Sequence, residues 1–465
     1  MPSMTQDPYA WREFGALLRH WRRRAGLTQA QLGAGIGYDH TAVSKIEHGT
    51  RRVAPRVAER IDGLLRAGGE LVAACLCAES AGLSPLGPLP AGVLRPPLPG
   101  GGPGGAGAAG GPVATGAVAP ARLPDYGLLC PLHDAEGCAV PPPDELAACY
   151  AEFCAADPAL APPLDAVTAH ALAGLLAAQL RAAEAGVRPE LVAAVERTLH
   201  VVLARLAVAP AAQRRPLARL AAEHAHAAGA LRMQGGRNAT AMACFDRALS
   251  WAELAGDQAT LVGTLSDLSI LARLDGDPVA ALGYAREIDR LAPDRPWAGA
   301  MGRISRARAR ALTGDVHGTV RQIALARAQV EHIDDRDEAV VPWLSIASMR
   351  LRVESAAAAA LRDLAAAVDD PRLARRALAA TETALGLLGP DQLPATRLLF
   401  TVRAADCHAC AHDPRAAVEL LGPALETAPA AALPALVGHE LRGLRERLAR
   451  YEPQAARRLA ELTGS

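Results

Sequence analysis

Residues 27–49 read Leu27-Thr28-Gln29-Ala30-Gln31-Leu32-Gly33-Ala34-Gly35-Ile36-Gly37-Tyr38-Asp39-His40-Thr41-Ala42-Val43-Ser44-Lys45-Ile46-Glu47-His48-Gly49, and their spacing decides how the N-terminal part folds. Thr28 with Gln31 three residues later has the form of a capping box, in which a hydroxyl and an amide side chain satisfy free N–H groups at a helix start. A short helix over Gln29–Ile36 follows, closed by Gly37, which tolerates the left-handed conformation of a helix end. Asp39 caps a second short helix from His40 to Glu47, stopped at Gly49. Upstream, Phe14, Leu17, Leu18 and Trp21 recur at helical spacing and Gly26 ends that run. Downstream, Pro55 to Arg66 gives a further helix. The expectation is a compact bundle of four to five helices.

Two short helices joined by a tight Gly37-Tyr38 turn inside such a bundle are helix-turn-helix arithmetic. The run Leu27-Thr28-Gln29-x-x-Leu32, then Thr41-x-Val43-Ser44-Lys45-Ile46-Glu47-x-Gly49 with Arg51-Arg52 next, resembles the Xre-type (lambda repressor and Cro-like) DNA-binding domain over about residues 12–76. That resemblance implies that the helix beginning near Asp39 enters the major groove, with His40, Thr41, Ser44 and Lys45 facing the bases. It also implies phosphate contacts from Gln29 and from Arg51 or Arg52, which fix the register while the groove helix reads sequence. Leu17, Leu32, Val43 and Ile46 are then core residues. Helix N-termini and amide side chains suit phosphate oxygens, and short polar side chains near the start of an inserted helix reach base edges.

Two features depart from the family pattern. Gly33 and Gly35 stand where alanine and arginine are usual, each interior glycine costing about 1 kcal/mol relative to alanine, so this helix is expected to be soft. His40 replaces the commoner Gln, Arg or Ser, so the family's base preference does not transfer. The Arg22-Arg23-Arg24 run reads as a solvated face or a peripheral phosphate contact.

Charge agrees with a nucleic-acid partner for this part of the chain. The 465 residues carry 49 basic and 49 acidic side chains, yet Tyr9 to Gly68 holds 11 basic against 5 acidic ones, and Tyr126 to Ser465 is mildly acidic. A positive field on one small domain attracts a phosphate backbone.

Four regions follow from composition. Residues 1–80 form the basic head. Between 81 and 125, Gly and Pro supply 22 of 45 residues, too little apolar surface to offset ordering entropy. As a flexible coil this linker spans roughly 35–40 Å end to end, so the head is expected to be tethered, not docked. Residues 126–215 lead helically into 216–465, where a degenerate tetratricopeptide-like pattern of small, large and small apolar residues can be read. Ala241, Phe245 and Ala248 fit it, as do Ala417, Leu421 and Ala424. Ala280 and Tyr284 fit with Glu287 imperfect, and Gly318, Gln322 and Leu325 fit poorly. The fold class expected is all-α: a small helix-turn-helix bundle, a linker and a tetratricopeptide-like α-solenoid.

The stretch from Gly236 to Asp257 resembles the C-terminal sensor region fused to Xre-type heads in actinobacterial regulators and, more loosely, the peptide-sensing repressors of Gram-positive bacteria. That resemblance implies a concave surface for a peptide, a protein or a small ligand. Arg303, Arg306 and Arg310 share one helical face and could hold a carboxylate or acidic segment. Pairing with Glu331, Asp334 and Asp335 is the structural alternative. His226, Gln234 and Ser269 are placed toward the same concavity.

Nine cysteines, an odd number without a signal peptide, predict reduced thiols. Cys130-x2-His133-x4-Cys138, near Cys149 and Cys154, and Cys407-His408-Ala409-Cys410-Ala411-His412 both lack the paired spacing of a standard zinc module, so no metal and no cofactor are expected. No phosphate loop, HExxH or nucleophile elbow occurs, and no enzyme is expected. No apolar run is long enough to span a bilayer. The reading is a cytoplasmic, nucleoid-associated regulator. It would bind a double-stranded DNA operator as a homodimer and sense a ligand through its repeats. The alternatives are a tetratricopeptide scaffold with a vestigial head and metal-dependent redox sensing through the cysteines, kept because Cys130 to Cys154 is otherwise unexplained.

Overall fold

The computed structural model describes residues 8–67, 70–72, 74–75, 123, 128–130, 138–155, 163–184, 188–341, 344–388, 394–426 and 435–463. The fold is all-α, and no strand element occurs among the described residues. The linker expected at 81–125 falls outside the described residues apart from Leu123, as does His133. Contacts divide the chain into two compact units, Met1–Pro88 with Ala228–Arg247, and Leu89–Ala227 with Ala248–Ser465.

In the first unit, α1 (Pro8–Arg24), α2 (Gln29–Ile36), α3 (His40–Glu47) and α4 (Pro55–Leu65) form the bundle. Its core is Trp11, Phe14, Leu17, Leu18, Leu32, Ile36, Val43, Ile46, Val53, Ile61, Leu65 and Leu71. The capping box is present: Gln31 N–H donates to Thr28 Oγ1 at 3.2 Å and Thr28 N–H to Gln31 Oε1 at 2.8 Å. Asp39 Oδ1 accepts from Ala42 N–H at 2.6 Å, and Gly37 takes φ +79° between the two helices.

Gly33 has a packing reason that its helix propensity hides. A Cβ there would stand 2.4 Å from the Tyr38 carbonyl oxygen, and one on Gly15 would stand 2.5 Å from the carbonyl oxygens of Ile46 and Glu47. Glycine lets the backbone entering α3 lie against α2, and lets α1 lie against the end of α3.

Onward from the first four, the helices are α5 (Pro143–Ala155), α6 (Ala166–Glu184), α7 (Pro189–Val208), α8 (Ala211–Gln234), α9 (Asn238–Ala255), α10 (Gln258–Leu274), α11 (Pro278–Leu291) and α12 (Pro296–Leu312). They continue as α13 (Val316–Val330), α14 (Asp335–Val340), α15 (Ile346–Val368), α16 (Pro371–Gly386), α17 (Pro394–Cys410), α18 (Pro414–Glu426), α19 (Ala435–Tyr451) and α20 (Pro453–Thr463). In the second unit α10, α11 and α12 each pack on the helix that follows, as do α15, α16 and α17. Contacts that skip one or two helices join α10 to α12, α12 to α15, α15 to α17 and α17 to α19, which is the stacking of a helical solenoid.

Gly-Asp dipeptides make its turns. Gly256, Gly276 and Gly314 take φ of +65°, +73° and +71°. The following Asp257, Asp277 and Asp315 each accept from the backbone N–H three residues on, at Thr260, Ala280 and Gly318. In two helices the buried positions lie one residue later than the sequence pattern placed them: Ala281, Ala285 and Ile288 are buried in α11, and Thr319, Ile323, Ala326 and Val330 in α13. Ala417 and Leu421 are buried as expected.

Candidate nucleic-acid interface

Helix α3 separates two faces. Ala42, Val43, Ile46 and Glu47 are buried, whereas His40, Thr41 and Lys45 are exposed and Ser44 is half-buried. With no side-chain carboxylate on the outward face, that surface offers a donor-rich set: an imidazole, two hydroxyls and an ammonium. Asp39 is engaged as the cap. Beyond α3, Gly49 at φ +70° turns the chain, and the Lys45 carbonyl accepts from the N–H groups of Thr50 and Arg51 at 2.9 and 3.2 Å. Arg51 and Arg52 are thereby exposed beside the helix end, with the Arg51 guanidinium 5.0 Å from the centroid of the Tyr38 ring.

Gln29 holds a different position from that of a free phosphate ligand. Its Nε2 donates to Glu47 Oε2 at 2.8 Å, and Glu47, whose side chain is 1% exposed, also accepts from Arg22 Nε at 2.5 Å and Nη2 at 3.1 Å. Arg22 further donates to the Leu27 carbonyl at 2.8 Å. One carboxylate therefore fastens α1, α2 and α3 together. Burial alone would push the Glu47 carboxyl up. The hydrogen bonds from Arg22 and Gln29 and the charges of Arg22 and Arg19 outweigh that and hold it below the ordinary glutamate range. Arg22 is accordingly not part of a solvated face, although Arg23 and Arg24 are exposed. The missed signal was Glu47 itself, a charge at a core-facing position of an eight-residue helix, which requires a buried partner.

In the second unit the three arginines singled out on α12 are engaged separately. Arg303 Nε donates to Gln329 Oε1 at 2.8 Å, Arg306 pairs with Asp289, and Arg310 pairs with Asp315 at 2.5 Å. His226 Nε2 meets Asp267 at 2.9 Å, and Gln234 is exposed at the end of α8. Only Ser269 of those six candidates lines the cavity described next.

That cavity, of about 350 Å³, lies among α10, α12, α15, α17 and α19. Its polar wall comprises Arg273, Arg308, Arg352, Arg362 and Arg403 with Ser266, Ser269, Ser305 and Ser355, against Asp363 and Glu440. Both acids are already bound. Glu440 accepts from Arg403 at 3.0 Å and from Arg362, and Asp363 pairs with Arg308 at 3.2 Å and Arg362 at 2.5 Å. Burial would raise the Glu440 carboxyl, and the surrounding Arg362, Arg403 and Arg308 drive it far below its ordinary value. Arg273 Nε and Arg308 Nε have no hydrogen-bond acceptor among the described residues. Burial, reinforced by neighbouring arginines, pulls the Arg273 guanidinium well below its usual range. The wall thus carries more cations than its acids neutralise. These arginines come from four helices, and the sequence hint was a guanidinium inside an alanine run, as at Arg362.

Cys407 and Cys410 are buried, with thiols pushed up to about 12, chiefly by burial, which makes them inert packing residues. His412 on the same stretch turns to Asp369 at 3.0 Å. No described helix is long and apolar enough to cross a membrane. No curated protein matches the chain. Residues 13–75 match the family model of a helix-turn-helix domain, a span that takes in the later part of α1, all of α2 to α4 and every head residue expected from the sequence to contact DNA.

Proposed function

We propose that this chain is a sequence-specific DNA-binding transcriptional regulator of the Xre type. The observation that carries the reading is the division of α3, with Val43 and Ile46 locked in the core and His40, Thr41, Ser44 and Lys45 turned outward beside Arg51 and Arg52. On this reading α3 enters the major groove, its polar side chains read base edges, and the two arginines hold phosphates. Gln29 joins them after exchanging its bond to Glu47 for a phosphate oxygen. An eight-residue helix spans only a half-site, so two copies act together on a two-fold operator. The solenoid, tetratricopeptide-like, senses a ligand, and the arginine-lined cavity selects an anionic one. The chain acts at the nucleoid and has no catalytic role.

The test is a genome-wide DNA pull-down with the full-length chain beside a Lys45→Ala, Thr41→Ala double variant. Sharp peaks sharing a two-fold motif, lost in the variant, support the reading. A flat profile for a well-expressed wild-type chain rejects it.

A further inference from the structure

A second chemistry stands apart from both sites. Cys130, Cys138 and His170 come from separate points of the chain, yet a ligand atom from each lies within 4.8 Å of the other two. Both cysteines are buried, 3% and 0% exposed, and neither is in a disulfide among the described residues. The geometry points to a zinc site built from Cys130, Cys138 and His170, which would tie the two cysteines ahead of α5 to α6.

The imidazole is already set for that task. Its Nε2 donates to the carbonyl of Ala139 at 2.5 Å, which fixes the tautomer and leaves Nδ1 with the lone pair. A ring nitrogen held by a backbone carbonyl while the other faces the metal is the usual outer-shell support of a ligating histidine. Ala139 directly follows Cys138, so one hydrogen bond positions two ligands together. The Cys138 carbonyl in turn accepts from Leu123 N–H at 3.0 Å, and Leu128 N–H donates to the Leu123 carbonyl at 3.2 Å, which ties both leucines to the Cys138 backbone.

Charge and donor type select the metal. Two thiolates cancel the charge of a divalent ion and the imidazole stays neutral, so the filled site buries no net charge. Two sulfurs and one nitrogen suit tetrahedral zinc and offer nothing to the hard, oxygen-seeking magnesium or calcium. Three protein ligands leave one tetrahedral position for a further donor. The sequence alone concealed the set because His170 follows Cys138 by 32 residues, with α5 between them.

The experiment uses the untagged full-length chain from zinc-supplemented culture, with metal content measured by mass spectrometry and Co(II) then titrated into the chelator-stripped protein. Stoichiometric zinc and a near-ultraviolet thiolate-to-cobalt charge-transfer band with intense visible tetrahedral bands are expected. The charge-transfer intensity should halve in Cys130→Ser and in Cys138→Ser, while Cys407→Ser leaves it unchanged. Wild-type protein free of zinc that shows no cobalt–thiolate band overturns the proposal without recourse to any variant. A Cys130–Cys138 disulfide in the freshly purified chain, or a band lost in Cys407→Ser and kept in Cys130→Ser, also overturns it.

Discussion

Removing the Glu47 carboxylate should unfasten the head, and the size of the effect can be worked from its bonds. Glu47→Ala deletes the acceptor for Arg22 Nε, Arg22 Nη2 and Gln29 Nε2. It leaves the Arg22 guanidinium, whose side chain is only 11% exposed, with its single bond to the Leu27 carbonyl. Stranding one member of a buried pair costs about 3–5 kcal/mol. A bundle of this size has roughly 3–9 kcal/mol of total stability, so the variant head lies near its unfolding threshold. Glu47→Gln keeps an acceptor and loses the charge, which should cost about 1–2 kcal/mol. Replacing both members, Arg22→Met with Glu47→Leu, removes the stranded charge and should recover most of the loss. Hydrogen exchange on peptides from α1 to α3 of the full-length chain reads the opening free energy directly. Should Glu47→Ala lower it by less than about 1 kcal/mol, or the double replacement prove as unstable as Glu47→Ala, the network does not hold the head together. The pH dependence has a fixed sign. Because the folded carboxyl lies below its ordinary 4.5, its contribution is present above pH 4.5 and disappears as pH falls through the folded value.

Further outcomes follow from other residues. Gly33→Ala should destabilise the head by more than the roughly 1 kcal/mol that alanine gains in a helix, because its Cβ would meet the Tyr38 carbonyl at 2.4 Å; a raised melting temperature would contradict the close approach. His224 is fully buried, bonded through Nδ1 to the Leu220 carbonyl at 2.8 Å, and pulled to about 4 chiefly by burial. It therefore contributes stability above pH 6.5 that is lost as pH falls toward 4, about 3 kcal/mol in all. A His224→Leu chain with undiminished acid sensitivity across that window would refute the assignment. On operator DNA, Arg51→Ala should flatten the log–log salt dependence of binding by about 0.9. Lys45→Ala should instead cost about 1–3 kcal/mol on the operator and much less on unrelated DNA, and equal losses on both would make Lys45 a phosphate contact.

Local signals were the legible ones. The capping box at Thr28, the cap at Asp39 and the stop at Gly37 depend on neighbours within three residues, and each stands where the sequence places it. The two glycines of α2 were readable as a propensity cost, yet the reason for Gly33 lies in a carbonyl brought close by the turn. In α11 and α13 the pattern lay one residue ahead of the positions that are buried. The pattern favoured Tyr284 as the large apolar residue, while the packing buries Ala281, Ala285 and Ile288 and leaves Tyr284 at the margin. Long-range polar pairing was opaque for a plain reason: Arg362 meets Glu440 and Arg403 meets Ser355 across 78 and 48 residues. Nothing near either residue in sequence announces its partner. Arginines on one helical face, as at Arg303, Arg306 and Arg310, looked like a cluster and were divided among three separate partners.

The alternation along α3 has an evolutionary consequence. Positions 42, 43, 46 and 47 answer to the interior, 40, 41 and 45 do not, and 44 does so only in part. The second set can drift, or be randomised in a library, while the scaffold that presents it stays intact. If α3 reads base edges as proposed, duplicated copies of such a gene acquire new addresses on the chromosome by changing a few outward codons while the residues that hold the fold stay in place.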